Sequence, residues 1–123
     1  MVRAGGAASK RVFKTYLSMD ADRFEWVPYA TILASRPQAA AVRVAGLLRK
    51  RGVLNAKFIA VKWAKRGRDR AYNVSIYKVS PICRGSPICR GWQIRRDKWG
   101  RAAHDEFAKA IAHARHPYRG EIL

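Results

Sequence analysis

Apolar positions along the chain fall into segments of different period. Residues 1–8, MVRAGGAA, show none and read as a loose basic tail. Behind Ser9 as a cap, Val12, Phe13, Tyr16 and Leu17 recur at helical spacing with Lys10, Arg11 and Lys14 opposite, which predicts a first helix over about 9–19. The segment Phe24-Glu25-Trp26-Val27 alternates weakly and reads as a very short strand stopped by Pro28. Pro28 suits a helix start, and Tyr29, Ile32 and Leu33 continue at helical intervals to Ser35, ahead of Pro37. The stretch QAAAVRVAGLLRKR, 38–51, combines strong helix formers with an apolar face of Ala41, Val44, Ala45 and Leu48, and Gly52 stops it.

The period then changes. Residues 57–63 and 72–79 are rich in Phe, Ile, Val, Trp and Tyr and flank a basic stretch, so they predict a hairpin. Strand alternation puts Ile59, Val61 and Trp63 on one inner face with Val74 and Ile76. The hexapeptide SPICRG at 80–85 is repeated unchanged at 86–91, and its Pro and Gly predict two successive turns. Ala103, Phe107, Ala110, Ile111 and Ala114 mark an amphipathic helix over about 97–115. The expected organisation is therefore a tail (1–8), one α+β domain (9–79), a turn-rich repeat segment (80–96), and a C-terminal helix and tail (97–123) packed on the domain.

Charge changes this picture most. In 123 residues Lys and Arg number 26 against 8 Asp and Glu, a formal +18 with a pI near 11.1, while a hydrophobic content of 49% argues for a folded chain. Self-repulsion of that size favours an anionic partner, and a polyphosphate is the simplest one. No apolar run approaches the roughly 20 residues of a spanning helix, so a membrane is not expected as partner. Basic residues pervade the whole chain, so the acid-poor start is not read as a targeting presequence, and a cytoplasmic, nucleoid-associated location is the expectation.

The basic residues cluster. Lys65, Arg66, Arg68 and Arg70 crowd the hairpin tip with only Asp69 to offset them, which suits phosphate contact. Arg95, Arg96 and Lys98 lie between Trp92 and Trp99, a mixture of cations and aromatics of the kind used on single strands and RNA. On the helix 38–51, Ala39, Arg43, Gly46 and Lys50 share a stripe opposite the apolar face, and Arg49, Lys50 and Arg51 also offset the helix dipole. Arg43 is the candidate for bidentate reading of guanine, with Gln38 beside it.

Metal chemistry has less to stand on. Cys83 and Cys89 are separated by five residues, wider than the two to four usual in zinc pairs, so no metal or other cofactor is expected. His104, Asp105, Glu106, His113 and His116 are the ingredients of a metal-dependent nuclease, yet Asp105 and Glu106 fall in the first half of the predicted helix, where acids offset its dipole, with the histidines on its flanks, and the chain is read as a non-enzyme.

The order helix, short strand, helix, turn, helix, strand, basic tip and strand resembles the winged helix-turn-helix family over residues 9–79. The resemblance is carried by the turn Ser35-Arg36-Pro37, the helix QAAAVRVAGLLRKRG and the wing AKRGRDRAYNVSIY. It implies a winged helix with three N-terminal helices, a β-hairpin wing and the C-terminal amphipathic helix. The helix 38–51 would enter the major groove, with Arg36 at its turn, while the wing touches phosphates. The expected function is then that of a small basic DNA-binding protein, a transcriptional regulator or a replication or maintenance factor of a mobile element. Duplex DNA is the first expected partner and structured RNA, as in a ribosome-associated protein, the second; a metal-dependent nuclease ranks third. A homodimer through the last helix is compatible with its amphipathic pattern.

Overall fold

In a computed structural model, residues 10–20, 23–53, 55–65, 71–79, 88–94 and 100–113 are described. Five strands form one antiparallel sheet: β1 (Arg11–Ser18), β2 (Trp26–Ala34), β3 (Phe58–Ala64), β4 (Tyr72–Val79) and β5 (Ile88–Ile94). Two helices accompany them, α1 (Pro37–Lys50) and α2 (Arg101–His113). The strand order is β2-β1-β3-β4-β5, so β1 lies between β2 and β3, and the connection β2-α1-β3 steps over it.

This architecture replaces the winged helix. The first two helices predicted from the sequence are the strands β1 and β2, and α1 is the first helix after them. The cause is a sheet buried on both sides. Along β1, Phe13 and Leu17 face α1 while Tyr16 faces α2, so the apolar set at 12, 13, 16 and 17 mimics a helical period that two covered faces produce equally well. Val12, Phe13, Thr15 and Tyr16 are also β-branched or aromatic, which suits a pleated surface. Pro28 does not start a helix. It lies within β2 opposite Tyr16, and β2 is an edge strand, where proline is tolerated.

Beneath α1, the first face of the sheet gathers Phe13, Leu17, Ala30, Ile32, Ile59, Val61 and Tyr77 against Ala40, Ala41, Val44, Ala45 and Leu48 of the helix. The second face gathers Tyr16, Trp26, Phe58, Ala60 and Ile76 against Ala103 and Phe107 of α2. Val61 pairs with Ser75 and Ile59 with Tyr77, so Ile59 and Val61 share the first face with those two, and the expected companions Val74 and Ile76 lie on the second. Phe107 is fully buried and meets Tyr16 edge-on at 4.9 Å and Trp26 at 5.7 Å. Burying such a ring is worth about 1.5–3 kcal/mol. The apolar side of α2 packs on its own sheet through Ala103 and Phe107.

Two local devices fix the frame. Between Lys14 and Tyr16 the β1–β2 register shifts, and there Thr15 Oγ1 donates to the Ala30 carbonyl at 2.6 Å and accepts from the Ala30 N–H at 3.1 Å. A side chain thereby supplies the ladder bonds that a bulge interrupts. At the end of α1, Gly52 at φ 75° lets its N–H reach the Arg49 carbonyl at 3.1 Å and the Val53 N–H reach that of Leu48 at 2.8 Å. This is a Schellman closure, with Val53 packed beside the core that holds Leu48.

The tail 1–8, the hairpin tip 66–70, the first repeat copy with the start of the second (80–87) and the segments 95–99 and 114–123 lie outside the described residues. The second copy does not form a separate turn throughout, because its last four residues, 88–91, run in β5.

Candidate nucleic-acid interface

The antiparallel register decides which cations meet. Arg11 pairs with Ala34, two residues before Arg36, and Lys14 pairs with Lys62, three residues before Lys65. The start of β1 and the ends of β2 and β3 therefore lie at one end of the sheet and bring Lys10, Arg11, Lys14, Arg36, Lys62 and Lys65 there. Lys10, Arg11, Lys14, Arg36 and Lys65 are exposed, and Lys62 is partly buried. The Lys65 N–H donates to the Ala71 carbonyl at 3.0 Å, closing the base of the hairpin whose tip has the sequence RGRDR.

The described acids lie on other elements. Asp20 and Glu25 belong to the β1–β2 connection at the opposite end of the sheet, and Asp105 and Glu106 belong to α2. Glu106 pairs with Lys109 at 3.2 Å. Among the described residues none of the cations gathered there is ion-paired with an acid.

α1 starts at this cationic end and runs back along the sheet. Arg36 is its N-cap without a side-chain capping bond, and Pro37 supplies the first helical turn. Gln38, Arg43, Gly46, Arg49 and Lys50 are exposed on the side away from the sheet. At 1.5 Å per residue Lys50 lies about 18 Å along the axis from Gln38, so Arg49 and Lys50 sit at the far end of the helix, where they complement its negative pole. Arg51 is held differently, its guanidinium donating to the Tyr29 hydroxyl at 3.1 Å.

Of the cations singled out in the sequence, the structure brings together Arg36 and Lys65, with Gln38 at the helix start beside them. Arg43, Arg49 and Lys50 form a separate exposed ridge. Arg66, Arg68, Arg70, Arg95, Arg96 and Lys98 lie outside the described residues. Sequence reasoning missed Lys14 and Lys62. The available signal was Lys62 itself, a single cation inside the buried run FIAVKWA.

The second face around those lysines is uneven. Lys62 Nζ stands 5.3 Å from the centre of the Tyr72 ring, and burial together with the charge of Lys14 holds its ammonium below the usual lysine range. Val12 and Leu33, toward the same end, are 46% and 38% exposed. In contrast, Phe13, Tyr16, Trp26, Phe58, Tyr77 and Phe107 are buried, and among the described side chains Tyr29, Trp63 and Tyr72 are only partly exposed.

The ingredients of a metal site do not converge in the described part. Among the described residues no group of three or more His, Cys, Asp or Glu is placed to share an ion. His104 is nearly buried and its Nε2 lies 2.8 Å from the Ile94 carbonyl, a structural tie between α2 and β5. Among the described residues no helix is long and apolar enough to cross a membrane. Comparison with protein-family models, with curated proteins and with solved structures finds no match to this chain.

Proposed function

We propose that the chain is a non-enzymatic nucleic-acid-binding protein that grips the phosphate backbone of duplex DNA with the cationic end of its sheet. The observation that carries this reading is the register-driven gathering of Lys10, Arg11, Lys14, Arg36, Lys62 and Lys65, none of them ion-paired with an acid among the described residues. A net charge of +18 supports it, because neutralising that charge also relieves strain on the fold. Phosphate contacts anchor and orient; they carry no sequence information themselves.

Duplex is favoured over single strand by the fate of the aromatic residues. Stacking of successive bases needs exposed rings, and the described rings of this sheet are buried in or packed against its two cores. Base reading falls to the exposed ridge of α1 through Arg43.

The test is titration of the purified chain against labelled duplex DNA, single-stranded DNA and structured RNA across a salt series with excess random competitor. Preference for duplex that weakens steeply with salt is the expected result. Preference for structured RNA would replace duplex DNA as partner, and salt-independent binding would remove the phosphate-anchoring mechanism.

A further inference from the structure

One row across the second face of the sheet runs Thr31, Lys14, Lys62 and Val74 on β2, β1, β3 and β4. Directly opposite residues on neighbouring strands hold their Cβ atoms about 4.5–5.5 Å apart, and two like charges placed so destabilise the sheet. Among the described residues neither lysine has a carboxylate within ion-pair distance. Lys62 is partly buried, with its ammonium over the Tyr72 ring. Beside Lys14, Thr31 is only 6% exposed and its hydroxyl has no hydrogen-bond partner among the described residues.

We propose that Lys14 and Lys62 form a seat for a phosphate group of a nucleic-acid backbone, the anion bridging the two ammonium groups on the second face of the sheet. This rests on the nucleic-acid reading above and locates one of its contacts. A phosphodiester turns the unfavourable cross-strand pair into a three-charge bridge with alternating sign, and the Tyr72 ring holds one arm of the bridge in place. Val12 and Leu33 leave that end of the face accessible rather than sealed. Lysine suits this task as a point charge that any phosphate oxygen can approach, without the planar fork needed to read a base.

Three proteins decide it: the wild-type chain, the double variant Lys14→Gln/Lys62→Gln, and the control Lys57→Gln/Lys109→Gln, which removes the same charge elsewhere. Each is titrated with a fluorescent duplex of about 20 bp between 50 and 200 mM salt. Loss of one phosphate contact lowers the salt slope by about 0.9, so wild-type affinity should fall about three- to fourfold more over this range than that of the seat variant, with the control resembling wild type. Without DNA the seat variant should melt above wild type, because the repulsion is gone. Equal salt slopes for the two double variants would overturn the seat while leaving duplex binding intact. Should wild type not bind the duplex, the duplex-DNA reading falls, and inorganic pyrophosphate becomes the probe. A rise in melting temperature larger for wild type than for the seat variant would support an anion seat, and equal rises would overturn it.

Discussion

Trp26 Nε1–H donates to the backbone carbonyl of Ala103 at 3.2 Å, joining residues 77 positions apart and tying the edge strand β2 to α2. Beside this bond, Trp26 also meets Phe107 edge-on, so one indole couples the sheet edge to the second core by a hydrogen bond and by packing.

Trp26→Phe removes the donor but keeps a ring, and should cost about 1–2 kcal/mol including the lost hydrogen bond. Phe107→Ala should cost about 3–5 kcal/mol. Urea unfolding checks both. If α2 separates from the sheet in the Phe107 variant, the denaturant slope will also fall, since less surface remains to be exposed.

Thr15 supplies two bonds to Ala30 across the β1–β2 bulge. Thr15→Val keeps the shape but strands a buried N–H and a buried carbonyl, at about 1–3 kcal/mol for each unsatisfied group. Thr15→Ser keeps the hydroxyl and should recover most of the loss in the same urea experiment.

Two glycines of the α1 region should respond with opposite signs. Gly46 lies within the helix, and a Cβ there would meet nothing within 4 Å, so Gly46→Ala should stabilise by about 0.5–1 kcal/mol. Gly52 has equally open space but φ 75°, so Gly52→Ala should destabilise by about 1 kcal/mol. Thermal melts of the two variants on either side of wild type are the expected outcome.

Alkaline pH acts through Tyr16, whose phenol is pushed from 10.0 up to about 12, first by burial and second by Tyr72. The raised value means that the unfolded chain loses this proton first, so stability is intact below pH 10 and should fall by about 2 kcal/mol as pH climbs to 12. Tyr77 is also raised by burial and acts in the same direction, against its weaker opposing hydrogen bond from Ser75. Lys62 has the opposite sign: its lowered value makes the folded chain release a proton first, so stability rises as pH moves from that value toward 10.5. Urea midpoints between pH 9 and 11.5 should decline, and Tyr16→Phe should flatten the decline.

Where one physical signal dominated, the sequence was readable. α1 has strong helix formers, one apolar stripe and a glycine stop, and it lies at Pro37–Lys50 against an expected 38–51. The strands β3 and β4 have bulky β-formers on both faces and a basic turn between them, and they too fall where expected. β1 and β2 were misread because alternation is visible only when one face meets water. Here Phe13 and Tyr16 serve different cores, and periodicity cannot report that a second helix will cover the other side. The cationic end was half legible for the same reason. Arg36 and Lys65 announce themselves by exposure and clustering, whereas Lys14 and Lys62 meet only through a pairing that joins residues 48 apart.

The position of β1 inside the sheet has a consequence for the order in which the chain is made. Its hairpin with β2 is local and can close early, yet its other edge stays unsatisfied until β3, with α1 in between, has been synthesised and returned to it. During translation the nascent hairpin therefore carries an open, largely apolar strand edge that a neighbouring chain could engage. A shortened chain starting after Ser18 would lose the middle of the sheet and leave β2 and β3 with no strand to share.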